Sequence, residues 1–330
     1  MSIVDFLKNQ EWDAPFFKIL ADFDSGASEA HMAGIYLPKS LKTYLPSLDL
    51  ASLSPGSPTT DRYLRADMFI GTTLVASGDV RYQLQTWRGT RSGESRMTQI
   101  APIRRESEAG DLIVFQRSIE ALDLFRLILV KKMSDGFAEL AGAVKNRKWG
   151  SLYEENEPLS QDRLEKATRE MARITDEPFQ ITRRTVERIE TRQSRIARRA
   201  AFRERVRLEY DKRCAITGIQ ICTPTNLYEI EAAHVVPVCE SGVDDVRNGI
   251  ALTQTLHWAF DRGLFGIDRN RRVFVPLSVR NLGGNEYLAE LHGKGIIEAR
   301  TETLRVHREA LEWHLEHRVA KWTKPPRPRC

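Results

Sequence analysis

Short runs of hydrophobic residues alternate with polar segments over the first part of the chain. Runs of strand length, rich in β-branched and aromatic residues and separated by Gly, Ser, Pro and Asp, are HMAGIYLP, YLRADMFIGTTLVA, VRYQLQTW, DLIVFQ and LFRLILVKK. Several short strands joined by long polar loops are typical of a barrel or pseudobarrel. We therefore predict a mainly β domain, a pseudobarrel, over residues 1–145.

The pattern changes near Pro158. Two long segments consist of helix-forming residues with charges on several faces, SQDRLEKATREMARITDE and RTVERIETRQSRIARRAAFRERVRLEYDKR. Helices of this kind suit a connection better than a core. Residues 146–198 are therefore predicted to be a helical connector.

Beyond Cys214 the predicted order is strand, strand, helix. NLYEIEAAHVVPV and GIALT are the predicted strands, and QTLHWAFDRG is a predicted helix that Gly263 ends. LFGIDRNRRVFVP predicts a hairpin that turns at residues 268–270, and HREALEWHLEHRVAKW predicts a last helix. The fold class is therefore α+β with two domains, the second over residues 199–330.

The composition is that of an ordinary soluble globular protein, with 41% hydrophobic and 29% charged residues and a net charge of only +5. The charge is unevenly distributed, because residues 181–207 are dense in arginine. These arginines are Arg183, Arg184, Arg188, Arg192, Arg195, Arg198, Arg199, Arg203, Arg205 and Arg207. A solvated, salt-bridged helix and a phosphate-binding strip both explain such a segment.

Targeting and redox signals favour a reduced, cytoplasmic protein. The opening segment MSIVDFLKNQEW has acidic residues and no long apolar core, unlike a signal peptide. The most apolar run, LDLFRLILV, is too short to span a bilayer and contains Arg126. The cysteines form no CxxC pair, which argues against a four-cysteine zinc site.

Four polar residues in the segment from Ala232 to Asp261 form a candidate site. His257 and Asp261 are four residues apart on the predicted helix, so both side chains lie on one face, as a divalent cation requires. His234 lies on the first strand, and Asn248 can fix the loop before the second strand. A histidine that takes a proton from water, beside one metal ion that stabilises the phosphorane and the departing 3′ oxygen, suits phosphodiester hydrolysis.

The motifs CAITG, EAAHVVP, NGIAL and HWAFDRGLFGI resemble those of the HNH (ββα-metal) endonucleases, and the resemblance extends from Arg199 to Ala320. It implies a ββα-metal HNH domain in which His234 is the general base, Asn248 fixes the loop and His257 binds the metal. Asp261 stands where many relatives have another ligand, and Mg²⁺ or Mn²⁺ is the expected ion, with no organic cofactor. Many HNH enzymes have Asp or His directly before the base, whereas this chain has Ala233.

The N-terminal segments FKILADFDSGASEAHMAGIYLPKSL and QTWRGTRSGESRMTQ resemble the effector domain of the EcoRII-type restriction endonuclease. The resemblance implies a DNA-binding pseudobarrel with two arms that grip the major groove. The residues that match the first arm are Asp24, Ser25, Gly26, Ala27, Ser28, Glu29 and His31. The residues that match the second arm are Arg88, Thr90, Arg91, Glu94, Ser95 and Arg96.

The chemistry of the arms is compatible with DNA binding. Arginine binds phosphate or the O6 and N7 edge of guanine, and Glu94 can accept a hydrogen bond from the amino group of cytosine. Exposed turns without a ligand explain the same Gly- and Ser-rich segments.

These observations predict a restriction-type, metal-dependent DNA endonuclease that recognises a specific site and leaves 5′-phosphate and 3′-hydroxyl ends. Double-stranded DNA is the expected partner, and a homodimer is expected because a double-strand break needs two active sites. A methyltransferase acting on the same site is a candidate partner, and no membrane partner is expected. A modification-dependent endonuclease stays open as an alternative. A domain that reads a modified base by flipping it out of the helix needs an aromatic pocket. Aromatic residues for such a pocket are Trp12, Phe16, Phe17, Tyr36, Tyr63 and Trp87. A non-cleaving DNA-binding regulator also stays open, on account of Ala233.

Overall fold

The computed structural model describes residues 1–9, 11–26, 34–54, 56–86, 93–119, 121–153, 156–182, 192–223 and 228–323. The chain divides into two compact units, Met1–Leu164 and Glu165–Cys330. None of the described helices has the length and apolar character needed to cross a membrane.

The first unit contains one large mixed sheet. Its strands are β1 (Phe16–Ile19), β2 (Ile35–Leu37), β3 (Thr59–Ile70), β4 (Thr73–Gln85), β5 (Glu94–Thr98), β6 (Leu112–Arg117), β7 (Leu124–Val130) and β8 (Trp149–Ser151). They lie in the order β2-β5-β4-β3-β7-β6-β1-β8, and all neighbours are antiparallel except β3 and β7. The helices that begin in this unit are α1 (Ile3–Leu7), α2 (Lys39–Lys42), α3 (Ala101–Arg104), α4 (Asp135–Val144) and α5 (Gln161–Ile174).

The sheet curls around a hydrophobic core. Ile35 of the edge strand β2 and Phe16 of β1, near the opposite edge, belong to the same buried cluster. Side chains alternate between the two faces, so Phe17 belongs to a second cluster with Ile3 of α1 and Leu140 of α4. A mixed α+β fold with a large curled sheet in the first unit is therefore confirmed. Among the described strands, the edges β2 and β8 do not pair with each other, so the sheet stays open.

The observed strands extend the predicted set. The predicted runs overlap β2, β3, β4, β6 and β7, whereas β1, β5 and β8 lie outside them. The sheet continues past residue 145, because Trp149–Ser151 pairs with β1. The segment predicted as a connector, 146–198, is accordingly divided between the two units.

The second unit is built from short strands and helices. Its elements are α6 (Arg192–Glu209), β9 (Glu231–His234), β10 (Gly249–Leu252), α7 (Gln254–Asp261), β11 (Gly266–Ile267), β12 (Val273–Phe274), α8 (Leu277–Arg280), α9 (Glu286–Leu291) and α10 (Arg308–His314). A π-helical turn, Leu315–Val319, follows α10. Strands β9 and β10 pair antiparallel, with His234 opposite Gly249, and α7 follows directly. The predicted hairpin is confirmed by the pairing of β11 with β12.

Helix α6 packs against β9 and β10 through one apolar face. Phe202, Val206 and Tyr210 are buried, and their spacing of four residues places them on that face. Gly249 permits this close packing, because a Cβ atom there would lie 2.5 Å from Cγ2 of Val206 and 2.8 Å from Cζ of Phe202. Helix α6 thus begins within the segment predicted as a connector, and its later part packs in the core of the second unit.

Helix α7 has clear signals at both ends. The hydroxyl of Thr253 accepts a hydrogen bond from the backbone N–H of Leu256 at the N-terminus. Gly263 follows the C-terminus with φ +66°, a conformation that glycine adopts without strain. These signals fix the helix that carries His257 and Asp261.

Candidate active site

A cleft of about 230 Å³ in the second unit brings together residues from three elements. It is lined by residues of α6, of β9 and the loop after it, and of α7: Arg199, Arg203, Ala232, His234, Pro237, Val238, His257 and Asp261. Three of the four candidate residues of this region therefore share one cleft. The fourth, Asn248, is fully buried.

His234 lies at the end of β9 and is held on two sides. Its Nε2 atom is 2.9 Å from Oδ1 of Asp244, and its ring stacks on Phe202 with centroids 3.9 Å apart and planes 12° apart. The side chain keeps 19% of its surface exposed, so the ring is anchored and still reaches the cleft.

Asp244 joins His234 to helix α6. Arg198 donates from Nε to Oδ2 of Asp244 at 2.6 Å, and the Asp244 side chain is only 6% exposed. Burial by itself would raise the pKa of the Asp244 carboxyl. The hydrogen bonds and charges of His234 and Arg198 outweigh this effect, and the pKa is lowered. Asp244 is therefore a carboxylate at neutral pH.

His257 lies between two carboxylates. Its Nδ1 atom is 2.6 Å from Oε2 of Glu231, and its Nε2 atom is 3.6 Å from Oδ2 of Asp261. Burial lowers the pKa of His257, but the hydrogen bond to Glu231 and the charges of Asp261 and Glu231 more than compensate, so the pKa is raised. The hydrogen bond from His257 likewise lowers the pKa of Glu231.

Asn248 ties together the loop that connects β9 to β10. Its Oδ1 atom accepts from the backbone N–H of Val236 at 2.9 Å, and its Nδ2 atom donates to the carbonyls of Val236 at 3.0 Å and Val243 at 2.9 Å. The amide is fully used inside the protein, and it fixes both ends of the segment between Val236 and Val243.

The donor set fits a divalent cation held by few protein ligands. His257 and Asp261 both line the cleft. Glu231 fixes the imidazole of His257 through Nδ1, so that Nε2 lies on the side of Asp261. Among the described residues, no group of three or more His, Cys, Asp or Glu side chains is placed to hold an ion. A site with two protein ligands suits Mg²⁺, which keeps water and substrate phosphate oxygens as its other ligands.

Part of the predicted DNA-binding arms falls within the described residues. Asp24 is buried, where Lys18 and the backbone N–H of Tyr36 donate to its carboxylate, and Ser25 is also buried. Glu94 and Arg96 form a partly exposed ion pair at 2.7 Å on either side of a buried Ser95. The predicted arm residues outside the described part of the chain are Ala27, Ser28, Glu29, His31, Arg88, Thr90 and Arg91.

The buried arm residues support the fold and do not present their side chains at the surface. The carboxylate of Asp24 anchors the chain at the start of the first arm, and the hydroxyl of Ser25 donates to the carbonyl of Asp22 at 2.8 Å. Asp24, Ser25 and Ser95 are buried, and their contact with DNA stays a prediction.

The aromatic residues considered for a base-flipping pocket are mostly engaged elsewhere. Phe16 and Phe17 lie in the two cores of the first unit, and Trp12 covers the guanidinium of Arg126 at 4.6 Å. Tyr63 is exposed, and Trp87 lies outside the described residues.

Sequence reasoning missed Glu231, Asp244 and Arg198 as parts of the site. Glu231 is separated from His257 by 26 residues, and Asp244 from His234 by 10. The acidic pair at residues 244–245, three residues before Asn248, is the one sequence signal that could have indicated Asp244.

Comparison with known proteins identifies a similarity in the segment that forms this cleft. A family model described as HNH endonuclease matches residues 214–268, the segment that carries His234, Asn248, His257 and Asp261. The predicted HNH resemblance is thus confirmed for this segment, and the match supports a DNA endonuclease. No curated protein matches the chain.

Two solved restriction-endonuclease structures are similar to the chain at low sequence identity. One is the B3 domain of the UbaLAI restriction endonuclease with cognate DNA, at 15% identity and a TM-score of 0.32, covering 43% of this chain and 87% of that one. The other is the modification-dependent TagI restriction endonuclease, at 13% identity and a TM-score of 0.31, covering 93% of this chain and 82% of that one.

Proposed function

We propose that the protein is a restriction-type, metal-dependent DNA endonuclease, in which the first unit recognises a DNA site and the second, a ββα-metal HNH domain, hydrolyses the phosphodiester. The observation that carries this proposal is the cleft that His234 lines together with His257 and Asp261, within the segment matched as an HNH endonuclease. The cleft thus brings together the proposed general base, the proposed ligand pair and two arginines.

His234 acts as the general base in this proposal. Its ring is anchored by Phe202 and Asp244, which reduces the cost of positioning it against a water molecule. Asn248 keeps the loop after His234 in place through three hydrogen bonds, two of them buried and one partly buried.

Arg199 and Arg203 supply positive charge to the same cleft. Guanidinium groups bind phosphate oxygens with charge-assisted hydrogen bonds, so these side chains can hold the DNA backbone against His234. The arginine-rich helix α6 thereby serves the active site as well as the core.

His257 and Asp261 would hold a divalent cation, Mg²⁺ or Mn²⁺. When bound, such an ion stabilises negative charge on the phosphate and on the departing 3′ oxygen. Glu231 positions His257 by accepting a hydrogen bond from its Nδ1–H. The products have 5′-phosphate and 3′-hydroxyl ends.

One cleft of this kind hydrolyses one strand, so a double-strand break requires two copies of the chain. A homodimer on double-stranded DNA, a cytoplasmic location and a methyltransferase that protects the same site complete the proposal. The ion pair Glu94–Arg96 and the arm segments next to it are the proposed DNA-reading residues of the first unit.

The test is cleavage of two preparations of one plasmid, methylated and methylation-free, with Mg²⁺, Mn²⁺ or chelator. The proposal predicts metal-dependent, discrete fragments from the unmethylated preparation. Cleavage of only the methylated preparation would replace it with a modification-dependent endonuclease. Binding without cleavage in every condition would favour a non-cleaving regulator.

A further inference from the structure

Three polar groups form a continuous chain from helix α6 to the cleft. Arg198 donates from Nε to one oxygen of Asp244 at 2.6 Å, and Nε2 of His234 lies 2.9 Å from the other oxygen. The carboxylate is almost completely buried, so water competes weakly for either oxygen. The imidazole is therefore held through Nε2.

Within the described part of the chain, no group is hydrogen-bonded to Nδ1 of His234, whereas the ring lines the cleft. A carboxylate accepts and cannot donate, so Nε2 must carry the proton that Asp244 receives in the hydrogen bond. The neutral imidazole then has its lone pair on Nδ1.

We propose that Asp244 is a positioning residue, which fixes the tautomer of His234 so that Nδ1 is the nitrogen that accepts the proton from water. This inference rests on the proposed nuclease function. In the step, an O–H bond of water breaks and the proton moves to Nδ1, while the water oxygen forms a bond to phosphorus. The bond from phosphorus to O3′ breaks, and O3′ leaves with the electron pair and takes a proton from solvent.

Arg198 makes the carboxylate at position 244 necessary. A guanidinium donates only, so an asparagine at 244 has to turn its carbonyl oxygen toward Arg198. Its NH₂ group would then face Nε2 of His234 and force the proton onto Nδ1, which blocks the base. Asp244→Asn is therefore expected to lower the single-turnover cleavage rate by about 100-fold or more, with DNA affinity unchanged.

Removing the arginine should partly reverse this loss. In the double variant Asp244→Asn/Arg198→Leu, the amide is free to turn its oxygen toward Nε2 and restore the productive tautomer. A cavity of about 140 Å³ next to Arg198 and Asp244 has room for water to bind the NH₂ group. We expect the double variant to cut about tenfold faster than Asp244→Asn, whereas Arg198→Leu alone stays within about tenfold of wild type.

If Asp244 had a purely structural role, the double variant would cut no faster than Asp244→Asn, because replacing both members of a buried pair is at least as disruptive as replacing one. Asp211→Asn is a matched control, because Asp211 pairs with Arg300 at 3.5 Å on the surface of the same unit. Its cleavage rate should stay within about twofold of wild type.

The deciding experiment combines these rates, on supercoiled plasmid with Mn²⁺, with ¹⁵N NMR of histidine-labelled protein at about pH 8, where an ordinary imidazole is neutral. The His234→Ala spectrum assigns the His234 signals. The expected result is a proton on Nε2 in wild type and on Nδ1 in Asp244→Asn. A wild-type proton on Nδ1, unimpaired cleavage by Asp244→Asn, or no gain in the double variant would overturn the inference. If wild type cuts no DNA, the proposed function fails, and the tautomer still decides whether Asp244 orients His234.

Discussion

Replacing Asn248 by alanine should destabilise the second unit strongly, because the buried amide forms hydrogen bonds with three backbone groups, two buried and one partly buried. The change leaves the N–H of Val236 and the carbonyls of Val236 and Val243 without these partners. Each lost hydrogen bond costs about 1 kcal/mol, and an unsatisfied buried group costs more, so we expect the free energy of unfolding to fall by roughly 3 kcal/mol. That is a large share of the roughly 5–15 kcal/mol that stabilises a typical domain.

The assay is urea denaturation together with hydrogen exchange of the Val236 amide. The exchange measurement is specific, since this N–H donates directly to Oδ1 of Asn248. Asn248→Asp should be at least as destabilising, because an ionised carboxylate has no proton for the two carbonyls. Asn281→Ala, at an exposed position after α8, is the control and should change stability by less than about 0.5 kcal/mol. If Asn248→Ala matched this control and kept the protection of Val236, the reasoning about the loop would be refuted.

Three further perturbations test other parts of the account. Gly249→Ala should lower the free energy of unfolding by about 1–3 kcal/mol, because its Cβ atom would clash with Phe202 and Val206 of α6; a thermal midpoint equal to that of wild type would contradict this packing. Burial lowers the pKa of His314 to about 4, so the unfolded chain binds a proton between pH 4 and 6.5 that the folded unit excludes. The free energy of unfolding therefore keeps its full value above the unfolded pKa of about 6.5 and falls by about 3 kcal/mol as the pH drops toward 4. Denaturation measured from pH 7 to 4 should show this fall in wild type and not in His314→Gln. Glu231→Gln should raise the Mn²⁺ concentration that gives half-maximal cleavage by about 10- to 100-fold, since the support of His257 weakens, and an unchanged metal dependence would remove Glu231 from the site.

Local patterns predicted much of the second unit. The spacing of His257 and Asp261 determines that they share a helical face, and Thr253 and Gly263 mark the ends of that helix. The Asn-Gly step at residues 248–249 combines a buried amide with a position where helix α6 leaves no room for a side chain. Such features are encoded within a few residues of one another.

Long-range partners could not be predicted in this way. The partner of His257 is Glu231 on another element, and the partner of His234 is an aspartate in a polar loop. Strand β1 is buried on both faces and therefore shows no alternation, and β8 has only three residues, one of them Gly150. Helix α4 did carry a signal, because Ser134 caps it by accepting from the N–H of Phe137.

The central claim is that the cleft around His234 cleaves DNA, and the most direct test compares His234→Ala with His317→Ala. His317 is exposed and stacks on Trp313, so its replacement controls for the loss of one histidine in the same unit. With Mg²⁺ or Mn²⁺ and the DNA preparation that wild type cuts, His234→Ala should cleave about 100-fold more slowly or worse, at unchanged DNA affinity, and His317→Ala should match wild type. Cleavage by His234→Ala at the wild-type rate would contradict the account.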